Sequence, residues 1–321
     1  MTDGGLHADI DRQRCIGFDR ILDTDRRIRG TLAASPAVLA SRDRGDPIAI
    51  GWQPAIAVSV GPRPIWSQTG GDLCFTAPAV AEYRCTPTLI AVTPFVGAPD
   101  AMIEALLIAT ALPATLWLRG DVMLHAAVIV PHDRDDDAAL AIAGASGSGK
   151  SRLAAAFLAR GAALVADDSI AVRHEHGQVR CAGLAGGYHL GGHLGRHLEP
   201  NPATRDATER AFHPVAEHRA RRSARLAAIV VLEDDPQTGR TLLHGVEAIE
   251  ALLANRHRAS VPRRCGLEPR ALRDVAQCAR TISIWRWPRR DADALLDDDI
   301  RRMVMPNDGM HNNGLREKGQ R

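Results

Sequence analysis

The chain has 321 residues, 45% of them hydrophobic and 24% charged, with a net charge of +2. This is the composition of a globular protein, and the charge is too small to point to nucleic acid. Six scattered cysteines include no C-x-x-C pair, which argues against a disulfide scaffold or a zinc knuckle and for free thiols.

Acidic residues and His7 interrupt the N-terminus, which has no apolar core of the signal-peptide kind. The longest apolar stretch, 105–118, carries Pro113 and reads as too short to span a bilayer. The expectation is a cytoplasmic protein that uses neither a membrane nor nucleic acid. Residues 1–100 read as a β-rich region. Short apolar segments at 48–50, 55–60, 73–75 and 89–95 are separated by Gly/Pro clusters at 61–64 and 69–72, a pattern that suits a small, mostly antiparallel sheet. Residues 102–117 then predict an apolar helix. Residues 121–131 predict one strand, carrying His125, either a core histidine or a functional one. The run 133–137 predicts a charged turn.

The informative stretch is 138–172. An apolar run at 138–143 leads into Gly144, Ala145, Ser146, Gly147, Ser148, Gly149, Lys150 and Ser151, a full match to G-x-x-x-x-G-K-[ST]. Glycines let the backbone curl so that its N–H groups converge on phosphate oxygens. Lys150 reaches the outer phosphates, and the Ser151 hydroxyl is a Mg²⁺ ligand in this motif. Residues 152–160 predict a helix, whose N-terminus favours an anion, and Gly161 suits its C-cap. A second apolar run, 162–166, ends in Asp167 and Asp168, completing a predicted βαβ unit. One aspartate at that strand end has a role in holding Mg²⁺. The second is either a solvated neighbour or a base for a hydroxyl acceptor.

Beyond 170–173, a further strand, seven of the 13 histidines fall between His174 and His218. His189, His193 and His197, spaced by four, would share a helix face and could bind zinc; Gly191, Gly192 and Gly195 speak instead for a Gly/His-rich active-site loop. The basic cluster 219–225 is either the solvated start of strand 226–232 or an anchor for phosphate. Helices are predicted at 245–255, 268–280 and 291–304, a strand at 281–287, and a polar, disordered tail at 306–321.

The segment GASGSGKSRLAAAFLARGAALVADD resembles the catalytic core of the HPr kinase/phosphorylase family, and the upstream Leu124-His125-Ala126-Ala127 resembles that family's histidine-bearing strand. The resemblance implies an α/β fold. A β-rich region (1–100) would precede an HPr kinase-like P-loop catalytic domain with a mixed sheet (101–305). It implies ATP and Mg²⁺ as cofactors, Asp167 as general base supported by His125, and Mg²⁺ held by Asp168 and Ser151. The layout is similar to the shorter HPr-kinase-like proteins of proteobacteria that phosphorylate the C-terminal Ser of lasso precursor peptides. The implied activity is a serine kinase acting on a peptide or small protein, in a chain that could form a homo-oligomer. The alternatives are a small-molecule hydroxyl kinase and a non-catalytic ATP-binding sensor.

Overall fold

The computed structural model describes residues 12–36, 39, 45–57, 65–132, 136–191, 210–235 and 239–305. His193, His197 and the tail 306–321 lie outside them. The N-terminal part is an eight-stranded sheet of β1 (Gln13–Gly17), β2 (Arg20–Thr24), β3 (Leu32–Ala33), β4 (Ile48–Trp52), β5 (Ile65–Thr69), β6 (Asp72–Ala77), β7 (Ala81–Cys85) and β8 (Leu89–Pro94), in the order β3-β1-β2-β4-β8-β7-β6-β5. The apolar alternation of β6 and β7 buries Leu73, Phe75, Tyr83 and Cys85 on one face. Most pairs are antiparallel, but β4 runs parallel to both β2 and β8. The expected strand at 55–60 is reduced, within the described residues, to a single bridge from Ile56 to Phe95. The hairpin β1–β2 carries none of the usual turn signals. Its turn residues, Phe18 and Asp19, both adopt left-handed φ of 55°, a conformation that ordinarily selects Gly or Asn. Burial of the Phe18 ring and a 2.9 Å bond from its N–H to the Gly183 carbonyl hold it there.

The apolar helix runs from Asp100 to Arg119 and packs over β7, β8 and the strand that follows it. Its 20 residues pass the length and apolarity of a membrane span, longer than the sequence suggested, and 56% of the apolar window is buried inside the fold. Its middle turn, Leu107–Ala111, is a π turn. Pro113 accounts for it: proline has no N–H to return to the carbonyl four residues back, so the Ala109 oxygen is released from the helix ladder. That oxygen is used elsewhere, as described below.

The second sheet holds β9 (Val122–Leu124), β10 (Ala126–Val130), β11 (Ala138–Gly144), β12 (Ala163–Ala166), β13 (Ile170–Glu175) and β14 (Gln178–Ala182). After the hairpin β15 (Gly187–Gly191) and β16 (Arg210–Pro214), it gains β17 (Ser223–Glu233), β18 (Thr241–Leu243) and β19 (Ser283–Pro288). The order is β12-β10-β11-β17-β14-β13-β9, with β19 alongside β17 and β18 alongside β19, a mixed sheet in an α/β protein. Two expectations are corrected. The single strand at 121–131 breaks at His125, whose N–H donates to Asn255 O at 2.8 Å. β9 goes to β13, while β10 inserts between β11 and β12 and pairs antiparallel with both. The two strands flanking the phosphate-loop motif are therefore not neighbours, although they run the same way.

Every residue of β11 is buried, and its alternate faces feed two cores. Leu140 and Ile142 join Leu153, Phe157 and Trp287 under the helix Lys150–Ala159; Ala139 and Ala141 join the larger core, which runs on through Trp117 and Tyr83 into the first sheet. The helices Gly245–Ala254 and Glu268–Thr281 form as their apolar spacing predicts. The last predicted helix divides into a 3₁₀ stretch, Arg289–Leu296, and a helix, Asp298–Val304, with extended backbone at Asp297 between them.

Candidate active site

The phosphate-loop motif sits where β11 gives way to the helix Lys150–Ala159. Gly144 has φ 138°, and a Cβ there would stand 2.8 Å from Leu232 O, so neither its backbone nor its neighbour admits a side chain. Gly147 and Gly149 are left-handed, at 80° and 99°. The resulting curl leaves Ala145, Ser146 and Gly147 exposed at the helix N-terminus, and buries Ser148, whose Oγ has no partner. Lys150 is buried, with Nζ donating to Gly144 O at 2.8 Å and Ala145 O at 2.9 Å. Its charge is thus held at the inner rim of the loop, against two of the loop's own carbonyls. A helix N-terminus with converging loop backbone and a lysine behind it suits a phosphate chain.

Asp167 follows directly from β12. Its Oδ2 accepts the His189 N–H at 2.8 Å, which ties it to β15. The Ser151 hydroxyl lies close to the same carboxylate and favours its charged form. Burial outweighs both and pushes the Asp167 carboxyl above the ordinary range. Oδ1 is buried without a hydrogen-bond partner. A buried carboxylate oxygen lacking a donor, beside the motif serine, fits one coordination position of Mg²⁺, an ion that takes few protein ligands when phosphates supply the rest. Among the described residues no group of three or more His, Cys, Asp or Glu side chains could hold a metal by itself.

Asp168 adopts φ 84°, left-handed for a non-glycine residue. His125 Nδ1 donates to Asp168 O at 2.7 Å and stands 3.5 Å from its Oδ1. Burial, and then the charge of Lys150, lower the His125 pKa, against a smaller opposing pull from Asp168. The imidazole is therefore a neutral group that fixes the Asp168 turn. The family resemblance pairs His125 with Asp167 and Ser151 with Asp168; the contacts run the other way, with His125 on Asp168 and Ser151 beside Asp167.

Two further residues carry no motif. His257 stacks on His125 with centroids 5.8 Å apart, and its Nε2 donates to Ala109 O at 2.9 Å. Arg258, left-handed at φ 54°, donates from Nε to the same oxygen at 2.8 Å; burial lowers its pKa, and Asp168 opposes that shift by favouring the charge. The carbonyl released by Pro113 thus anchors a histidine and an arginine at the site. Pro113 inside an apolar helix is the one sequence signal that could have found them.

The helix face on which these histidines could bind zinc does not form at His189, which lies on strand β15 with its ring tilted against Phe212; His193 and His197 are outside the described residues. The basic cluster is structural. Arg219 donates to Leu158 O and to Ala162 O, closing the C-terminal end of the phosphate-loop helix, and Arg225 pairs with Asp136.

Two cavities flank the contact between His125 and Asp168, His125 lining one and Asp168 the other. One, of about 780 Å³, is lined by the exposed loop residues Ala145 and Ser146 together with His125, Asp235 and Arg258. The other, of about 230 Å³, is lined by Asp167 and Asp168, by the helix Asp100–Arg119 and by Phe212.

In comparison with known proteins, no protein family and no curated protein matches this sequence. Among solved structures, the chain is similar to the HPr(Ser) kinase/phosphatase from Coxiella burnetii, at 14% identity and a TM-score of 0.34, over 56% of this chain and 95% of that one. A likeness at that level carries no functional argument.

Proposed function

We propose that the protein is an ATP- and Mg²⁺-dependent phosphotransferase that phosphorylates a hydroxyl, in the finer form a serine kinase acting on a peptide. The observation that supports this most is the division of labour between adjacent aspartates beside a complete phosphate-loop motif: one on the motif serine, the other on a neutral histidine. The loop backbone and Lys150 bind the β- and γ-phosphates. Ser151 and Asp167 would hold Mg²⁺, which supplies neutralising charge to those phosphates. Asp168, oriented by His125, accepts the hydroxyl proton, and Arg258 stands ready to meet charge on the transferring group. A C-terminal Ser of a lasso-type precursor is the specific acceptor that the sequence resemblance suggests.

The test is phosphate transfer from Mg–ATP to a panel of Ser-containing peptides, followed by mass spectrometry, beside the Lys150→Ala chain. Transfer should fall about 10³-fold or more in the variant, several kcal/mol of transition-state stabilisation. A Lys150→Ala chain with near-normal transfer refutes the reading. An Asp168→Asn chain that keeps full biological function would favour an ATP-binding sensor instead.

A further inference from the structure

The smaller cavity is the part of the site that the motifs do not account for. Asp167 and Asp168 line it, and none of the motif residues 144–151 is among its lining. Asp168 lines it, while His125, bonded to Asp168, lines the larger cavity with the loop. The wall between the two includes the π turn: Ala109 faces the small cavity, and its carbonyl carries His257 and Arg258 from the phosphate side. A group bound there presents its end to the Asp168 carboxylate.

The lining sets what that group is. Ala101, Ala105, Ile108, Leu184 and Phe212 are apolar. Of the charged lining residues, Arg29 and Glu104 offset each other: Glu104 Oε1 accepts the Arg29 N–H at 2.7 Å, its Oε2 lies 3.3 Å from the Arg29 guanidinium, and that guanidinium also covers the Phe212 ring at 5.6 Å; Asp167 and Asp168 leave the rest of the lining acidic. His189 presents its backbone N–H to Asp167. An anionic occupant would have to face Asp167 and Asp168, or lie unpaired against apolar walls, which is costly. At about 230 Å³ the space is smaller than the usual drug-sized pocket, room for one or two small apolar groups.

The geometry points to this cavity as the acceptor subsite, taking an alcohol borne on an apolar body without negative charge. The inference rests on the phosphotransferase reading. In the transfer, the alcohol oxygen forms a bond to the γ-phosphorus as the bond from phosphorus to the β,γ-bridging oxygen breaks. ADP leaves with that electron pair, and the alcohol proton passes to Asp168. The alcohol can come from a peptide serine beside an apolar residue or from a small free alcohol.

The experiment titrates the full chain, isotope-labelled at Ile and Leu methyls, with three probes: N-acetyl-leucyl-serine amide, N-acetyl-glutamyl-serine amide and 3-methylbutanol. Ile108 and Leu184 methyl signals should shift with the leucyl peptide or the alcohol, at an affinity about 10-fold or more above the glutamyl peptide, the scale on which pocket contacts discriminate. The tighter of the leucyl peptide and 3-methylbutanol identifies the source. Ala105→Trp, which fills the mouth from an exposed helix position, should abolish the shifts while leaving Mg–ATP affinity unchanged. The proposal is overturned if neither apolar probe shifts those signals, if the glutamyl peptide binds as well, or if Ala105→Trp changes nothing. Failure of the phosphotransferase reading has a separate signature: the methyl shifts persist while transfer is insensitive to Lys150→Ala.

Discussion

The two aspartates should fail in different ways when each is made neutral. In Asp167→Asn, the asparagine oxygen can still accept the His189 N–H, so the tie between β12 and β15 survives. The lost carboxylate is one whose charge burial penalises. Its folded pKa is raised, so its contribution to stability is present below the unfolded value and is lost as pH rises through the folded one. At pH 7.5 the variant without nucleotide should therefore melt at or above wild type. With nucleotide the order reverses. A ligand at 100 times its Kd adds about 2.7 kcal/mol, and about 2–4 °C per kcal/mol in a chain somewhat smaller than this one gives a rise of about 5–10 °C for wild type with Mg–ATP. Asp167→Asn should lose most of that rise, and its affinity should stop depending on Mg²⁺. Asp168→Asn should keep the rise and lose about 10²–10⁴ in kcat, the usual cost of a missing general base. Thermal melts with and without Mg–ATP, beside initial rates, decide it. The reasoning is refuted if Asp168→Asn loses the nucleotide-dependent rise while Asp167→Asn retains it.

Three further outcomes follow from contacts already described. Burial lowers the pKa of His257 and His125, so each supplies stability that is present above the unfolded value near 6.5 and is lost as pH falls through the folded one. His257→Gln should flatten the loss of melting temperature between pH 7.5 and 5.5 relative to wild type, a difference from which the opposite trend of Asp167 cancels. Arg219→Ala removes the side-chain donor of the Ala162 carbonyl and one of the donors to Leu158 O, which keeps the Gly161 N–H, and should cost about 0.5–1.5 kcal/mol by denaturant unfolding, with Mg–ATP affinity intact; a loss of nucleotide binding at unchanged stability would restore the phosphate-anchor reading. Pro113→Ala returns an N–H to the helix, able to compete for Ala109 O with His257 and Arg258, and should lower kcat more than it changes stability, as paired kinetics and melts would show.

The sequence by itself determined the phosphate loop, the helix behind it and the acidic strand end, because each is local. Glycine spacing fixes a backbone curl, and an apolar run ending in polar residues fixes a strand end. The helices at 245–254 and 268–281 were legible for the same reason, from a 3.6-residue apolar period. Only the tertiary structure decided which aspartate serves which partner. That depends on β15 delivering the His189 amide to Asp167, and on β10 breaking at His125 so that the imidazole meets Asp168. It also decided that Arg219 closes a helix end, and that a proline in the helix Asp100–Arg119 frees a carbonyl for residues nearly 150 positions away. Contacts at that separation leave no periodicity and no spacing rule in the chain; they arise when two sheets and a buried helix close around one shared core.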